Sequence, residues 1–279
     1  MMNAIMLLIS WTALGRAEEI PIPVHALPFP CTDPHFPALL EEYIIGCGVD
    51  GNVDRIMSIH DQKVHQLPND DVWGTGTALF RMGTPGGLWD PTGKQWTGGR
   101  IFVDQGTAIT QHDTIAVLNE NEIVVRRIND KAQYHHPAQG IGWQRPAITQ
   151  HAVAWIEWTE TGEEIALWNW REGEETIFIP AEKPLFLVSD KHRLVWSEPQ
   201  QIVIYDTQTE QREVIPVQAV RGLTIHERKI CWTSWTEEDL DIHCDDGFHL
   251  NRKGHQQWPQ LHDTGLYFQE NGALMWLPN

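Results

Sequence analysis

Short apolar runs recur along the chain at nearly even spacing, each followed by a polar gap and a second apolar run. The leading runs are YIIGCG from Tyr43, ALFRMG from Ala78, IAVLNE from Ile115, VAWIEW from Val153, LVWSEP from Leu194, ICWTSW from Ile230 and LYFQEN from Leu266. Their starts lie 35, 37, 38, 41, 36 and 36 residues apart. Turn residues fill the gaps, as in VDGNVD, NEN, TETGEE, EPQQ, TEED and ENG. The following runs (RIMSIH, GLWDPT, EIVVRRI, EIALWNW, QIVIYD, LDIHCD and ALMWLP) are rich in β-branched and aromatic residues, so each pair predicts a β-hairpin.

A third, more polar segment follows most hairpins (KVHQLP, KQWTGG, KAQYHH, EETIFIP, QREVIPV, FHLNRK), and a fourth precedes them (PAITQ, PLFLVSD, RGLTIH). Four strands per unit at this period describe a propeller blade, and the count is seven. The pentapeptide AITQH, at 108–112 and again at 147–151, is then the end of an innermost strand plus the turn into the next strand. The last unit ends at Asn279 after three strands. Its outer strand is expected from EEIPIPVHAL, Glu18 to Leu27, which parallels REVIPVQAV in the fifth unit and would close the ring without an exposed edge. The expected fold is all-β: one seven-bladed propeller of four-stranded antiparallel blades over 18–279.

The unit RLVWSEPQQIVIYDTQTEQREVI resembles the repeat of TolB-like and related WD40-like propellers, with Trp196-Ser197, an aliphatic strand and an Asp-x-x-Thr turn from Asp206 to Thr209. Where TolB-like repeats carry Ser-Pro-Asp-Gly between first and second strands, this chain reads TQHDT, TQHA, SDKHR, IHER and LHDT. No TolB binding surface carries over residue by residue.

Residues 1–17 contain an apolar stretch from Ala4 to Leu14 followed by Gly15-Arg16-Ala17, which predicts a signal peptide cleaved after Ala17. No later run is long enough to span a bilayer as a helix. The expected product is periplasmic or secreted, and monomeric. The chain carries a net charge of −18, and losing Arg16 takes it to −18 − 1 = −19, a surface that repels phosphate backbones. Nucleic acid is excluded as a partner on that ground; an envelope or extracellular protein or polysaccharide is expected.

Four cysteines in an exported chain predict two disulfides. A hairpin centred between Glu237 and Glu238 places Cys231 opposite Cys244, leaving Cys31 with Cys47. GCGVDG at 46–51 matches a dinucleotide-binding string, but the repeat puts a hairpin turn where a helix would have to follow. His112, His151, His192, His226 and His262 fall at the turns between first and second strands of five consecutive units, where imidazoles around one rim can bind a metal. Turn formation explains them more simply, because histidine is enriched at positive φ. Acidic turns, such as Asp50 with Asp54 and Glu237-Glu238-Asp239, lack the twelve-residue calcium loop. DPTGKQW at 90–96 reads as a turn followed by a Trp.

Neither GxSxG nor HExxH occurs, so no catalytic residues are assigned and no cofactor is expected. Trp155, Trp168, Trp170, Trp196 and Trp232 fit packing between blades. Trp73, Trp143 and Trp258, outside the hairpins, are the candidates for a ligand platform. The sequence thus supports a non-enzymatic binding scaffold at the cell envelope, with a carbohydrate-active enzyme using propeller-face carboxylates as the alternative.

Overall fold

The computed structural model describes residues 24–30, 38–39, 43–45, 55–58, 63–66, 72–75, 78–81, 87–90, 95–97, 107–111, 114–118, 121–127, 132–139, and 145–279 apart from 174, 237 and 238. Among the described residues all regular structure is β-strand, in seven four-stranded antiparallel sheets. The chain opens with β1 (His25–Pro30). Sheet 1 then holds β2 (Ala38–Leu39), β3 (Tyr43–Ile45), β4 (Arg55–Ser58) and β5 (Val64–Gln66). Sheet 2 holds β6 (Val72–Thr75), β7 (Ala78–Arg81), β8 (Gly87–Asp90) and β9 (Gln95–Thr97), and sheet 3 holds β10 (Thr107–Gln111), β11 (Thr114–Leu118), β12 (Glu122–Arg127) and β13 (Gln133–Pro137). Sheet 4 holds β14 (Ala147–Ile148), β15 (Val153–Thr159), β16 (Gly162–Trp168) and β17 (Ile177–Pro180), and sheet 5 holds β18 (Leu185–Ser189), β19 (Arg193–Glu198), β20 (Gln201–Asp206) and β21 (Arg212–Pro216). Sheet 6 holds β22 (Val220–His226), β23 (Lys229–Thr236), β24 (Asp239–Cys244) and β25 (His249–Leu250). Sheet 7 holds β26 (Gln256–His262), β27 (Gly265–Glu270) and β28 (Ala273–Pro278), with β1 paired to β28 as its fourth strand.

The seven apolar runs are the second strands. Where burial is described, they are covered on both faces, as in the wholly buried β11, because each sheet is sandwiched between neighbours. Fourth strands such as β13 and β21 are mostly exposed. Trp155 and Trp168 pack between sheets 3 and 4, Trp196 with Leu187 and Val203 between sheets 4 and 5, and Trp232 with Val195 and Ile202 between sheets 5 and 6. Leu27 of β1 and Met57 of sheet 1 pack with Tyr267 and Leu274 of sheet 7. First strands neighbour one another in succession, β2, β6, β10, β14, β18, β22 and β26, and β26 also neighbours β2.

Two boundaries differ from the sequence reading. The described strand on the last sheet, His25–Pro30, overlaps the expected closing segment at residues 25–27 and continues to Pro30; residues 18–23 lie outside the described set. It pairs His25 with Trp276 and Ala26 with Met275, then shifts register before Pro30 meets Ala273. Proline cannot donate to a ladder, so Pro28 and Pro30 belong on an edge strand with an irregularity. Secondly, β16 ends at Trp168, and Trp170 turns back to donate its N–H to the Trp168 carbonyl at 3.1 Å while still joining the same core cluster.

Gly265 opens β27 at φ +142, and a Cβ there would fall 2.1 Å from the Leu277 carbonyl oxygen. Both conformation and space demand glycine. Gly265→Ala is expected to lower stability by at least about 1 kcal/mol in urea unfolding, and an unchanged midpoint would refute this register of β27 on β28.

Candidate functional site

His112 lies outside the described residues. The other four candidate histidines sit where sequence placed them, at turns between first and second strands, and they associate in pairs across neighbouring sheets. The His151 and His192 rings lie 6.4 Å apart at 21°, and the His226 and His262 rings 6.2 Å apart at 18°. Positive φ does not explain them. None of the four is left-handed; in the IHER turn those positions fall on Glu227 (φ 46) and Arg228 (φ 77). His226 pairs with Lys229, so Glu227 and Arg228 form a two-residue hairpin loop whose geometry requires positive φ at both positions.

The two pairs have opposite electrostatics. Beside His192, the Asp190 carboxylate accepts the backbone N–H groups of His192 and Arg193 at 3.3 and 3.2 Å and the Arg193 guanidinium at 2.6 and 3.2 Å. Partial burial opposes its ionisation, but the Arg193 bonds prevail and hold the carboxyl below its ordinary range. Beside His262, the Asp263 carboxylate meets no guanidinium among the described residues. It receives His226 Nε2 at 2.7 Å, and that hydrogen bond lowers its pKa. His262 Nδ1 accepts the Thr264 N–H at 3.2 Å, and Thr264 Oγ1 lies 2.8 Å from the Tyr267 hydroxyl, whose pKa is raised by burial. Glu227 and Asp263, which the sequence reading passed over, thus join His226 in one group. The only signal for them was an acid following His226 and His262 directly in IHER and LHDT.

Of the Trp candidates, Trp143 lies outside the described residues, and Trp73 lies in β6, opposite Phe80. Trp258 has φ 57 within the register shift of β26 and meets Phe186 of β18 edge-on at 6.3 Å. Its indole N–H is buried without a protein partner. Trp258 is half-buried, with one side of its ring against Phe186. Four large aromatics are exposed among the described residues, Tyr134 and Phe178 on outer strands and two tryptophans within the hairpins, Trp158 at 55% and Trp235 at 47% exposure. Both lie near the ends of second strands, on the end of the fold opposite the histidine turns.

Buried carboxylates repeat in the second strands. The Trp155 N–H donates to Glu157, which also accepts the Gln139 N–H at 2.7 Å. The Trp196 N–H donates to Glu198 at 2.9 Å, and Gln201 and Arg212 reach the same carboxylate at 2.6 and 3.2 Å. These acids are engaged in holding strands together. The disulfide expected between Cys231 and Cys244 is present, with Cα atoms 4.1 Å apart, the close spacing of a non-hydrogen-bonded pair. Cys31 and Cys47 lie outside the described residues.

No model of a known protein family matches the sequence, and no curated protein matches it. Solved structures do match in shape. The β-propeller domain of Cps50 (Swd1) from Myceliophteria thermophila superposes with a TM-score of 0.60 at 11% identity, covering 92% of this chain and 100% of that one. A chain of a mitotic checkpoint complex gives 0.61 at 11% identity, covering 99% and 98%, and BamB from Moraxella catarrhalis gives 0.54 at 12%, covering 92% and 98%. Identities this low speak for the fold alone. The chain has the fold of a WD40-like β-propeller.

Proposed function

We propose that residues 18–279 form one seven-bladed propeller, exported after loss of a leader at 1–17, that binds a protein partner at the cell envelope. Seven four-stranded sheets, the β1–β28 pairing and the contact of β26 with β2 support the closed ring. The buried disulfide supports an oxidising compartment. Trp158 and Trp235 carry the partner reading. Large aromatics left in solvent at equivalent places of sheets 4 and 6 are the side chains that dominate protein interfaces, and they cost side-chain desolvation little. Propeller structures of similar shape include a chain within a mitotic checkpoint complex, an assembly of proteins.

Photo-crosslinkers at positions 158 and 235 are expected to capture one discrete protein in envelope preparations, and crosslinkers at His151 and Lys191 none. Trp158→Ala with Trp235→Ala should abolish capture while leaving the unfolding midpoint within about 0.5 kcal/mol, as for other exposed positions. Equal capture from both ends would refute the assignment. Turnover on a glycan panel that disappears on substituting one exposed carboxylate would establish the enzyme alternative instead.

A further inference from the structure

At the histidine end of the seam between sheets 6 and 7, His226, Glu227 and Asp263 each offer one ligand atom, all within 4.8 Å of one another. We propose that this group binds a divalent transition-metal cation, with Zn2+ the ion its donors fit, through His226 Nε2 and the two carboxylates. One imidazole with two carboxylates suits zinc, whereas calcium and magnesium take oxygen donors. Bonds of about 2.0–2.2 Å put tetrahedral ligands roughly 3.4 Å apart, so the 2.7 Å separation of His226 and Asp263 opens by under about 1 Å. Side-chain rotation supplies this, since the two side chains are 37% and 71% exposed. Protein ligands then fill three positions, and water fills the fourth.

Each ligand is placed by a different feature. His226 closes the hairpin, the left-handed turn directs Glu227, and Asp263 comes from the neighbouring sheet, so the ion would tie sheet 6 to sheet 7. His262 lies against the His226 ring and is itself held by Thr264, which makes it a positioning residue. Lys229 is drawn away to Asp246 at 2.8 Å. A chain of net charge −18 concentrates cations near its surface.

The other histidine pair is the internal contrast. His151 and His192 stack in the same way, but the nearby Asp190 carboxylate is occupied by the Arg193 guanidinium. Stacked imidazoles alone do not make a site; carboxylates not held by a guanidinium do. Metal uptake at this end requires no partner at the tryptophan end, so the two readings fail separately.

The test is calorimetric titration of the full chain with ZnCl2, and with CoCl2 to follow visible absorption. One saturable site per chain is expected. His226→Ala and Asp263→Asn should each weaken it about tenfold or more and remove the cobalt band, whereas His192→Ala leaves both unchanged. Should His226→Ala fold poorly, the isosteric Asp263→Asn decides alone. No saturable uptake, or equal uptake by Asp263→Asn and the parent chain, overturns the assignment.

Discussion

Trp196→Ala is expected to cost about 3–5 kcal/mol in chemical unfolding, because Trp196 is fully buried between sheets 4 and 5 and its N–H satisfies Glu198. A finer comparison separates the hydrogen bond from the packing. Sheets 4 and 5 repeat Trp155-Ile156-Glu157 and Trp196-Ser197-Glu198, with the indole bonded to the acid two residues on. Sheet 6 writes Trp232-Thr233-Ser234 and carries its buried acid across the ladder at Asp241, opposite Ser234. The carboxylate has changed strands, and Trp232 Nε1 is left buried with no hydrogen-bond partner among the described residues. Trp→Phe removes the N–H and similar volume at each place. Trp196→Phe should therefore exceed Trp232→Phe in cost by about 1.5–3 kcal/mol, the net worth of a hydrogen bond to a charged acceptor. Equal losses would mean that the repeated indole–carboxylate bond contributes nothing beyond packing.

The same comparison shows what was legible in the sequence. The seven second strands, their hairpin partners and the Cys231–Cys244 register all follow from alternation and turn residues, because local hydrogen-bonded hairpins write their pattern into adjacent residues. Contacts between sheets leave no such trace. His151 and His192 are 41 positions apart, His226 and His262 are 36 apart, and nothing local says that their rings stack. The contact of Trp258 with Phe186 is hidden for a related reason: a register shift with positive φ turns the residue toward the neighbouring sheet. Trp158 and Trp235 close apolar strands yet stand in solvent, which the apolar run itself does not reveal. The first strand of the fold shows the limit of homology between units. EEIPIPVHAL copies the letters of REVIPVQAV, yet β1 shifts register on β28 between Ala26 and Pro30, because register depends on partners that alternation does not name.

Removing the Cys231–Cys244 bridge is expected to cost about 3 kcal/mol, the loop-closure value for a crosslink of this span; the two residues are separated by 13 positions. For a chain of this size that is a fall of roughly 6–12 °C in Tm. Both cysteines are buried among Ile242, Leu250, Phe268 and Met275, against sheet 7, so reductant has no access while the fold is intact. Two melting experiments then give different answers. Native protein held briefly in dithiothreitol should melt at the oxidised midpoint on a fast scan, and protein reduced while unfolded and then refolded should melt at the lower one. Cys231→Ala with Cys244→Ala should also melt below the oxidised midpoint, with Cys31 and Cys47 left untouched. Identical midpoints in all three preparations would deny the bridge any energetic role. A chain whose sheets 6 and 7 depend on that increment folds best where thiols are oxidised, so higher yield of folded protein from an oxidising compartment than from a reducing one is the cellular form of the same result.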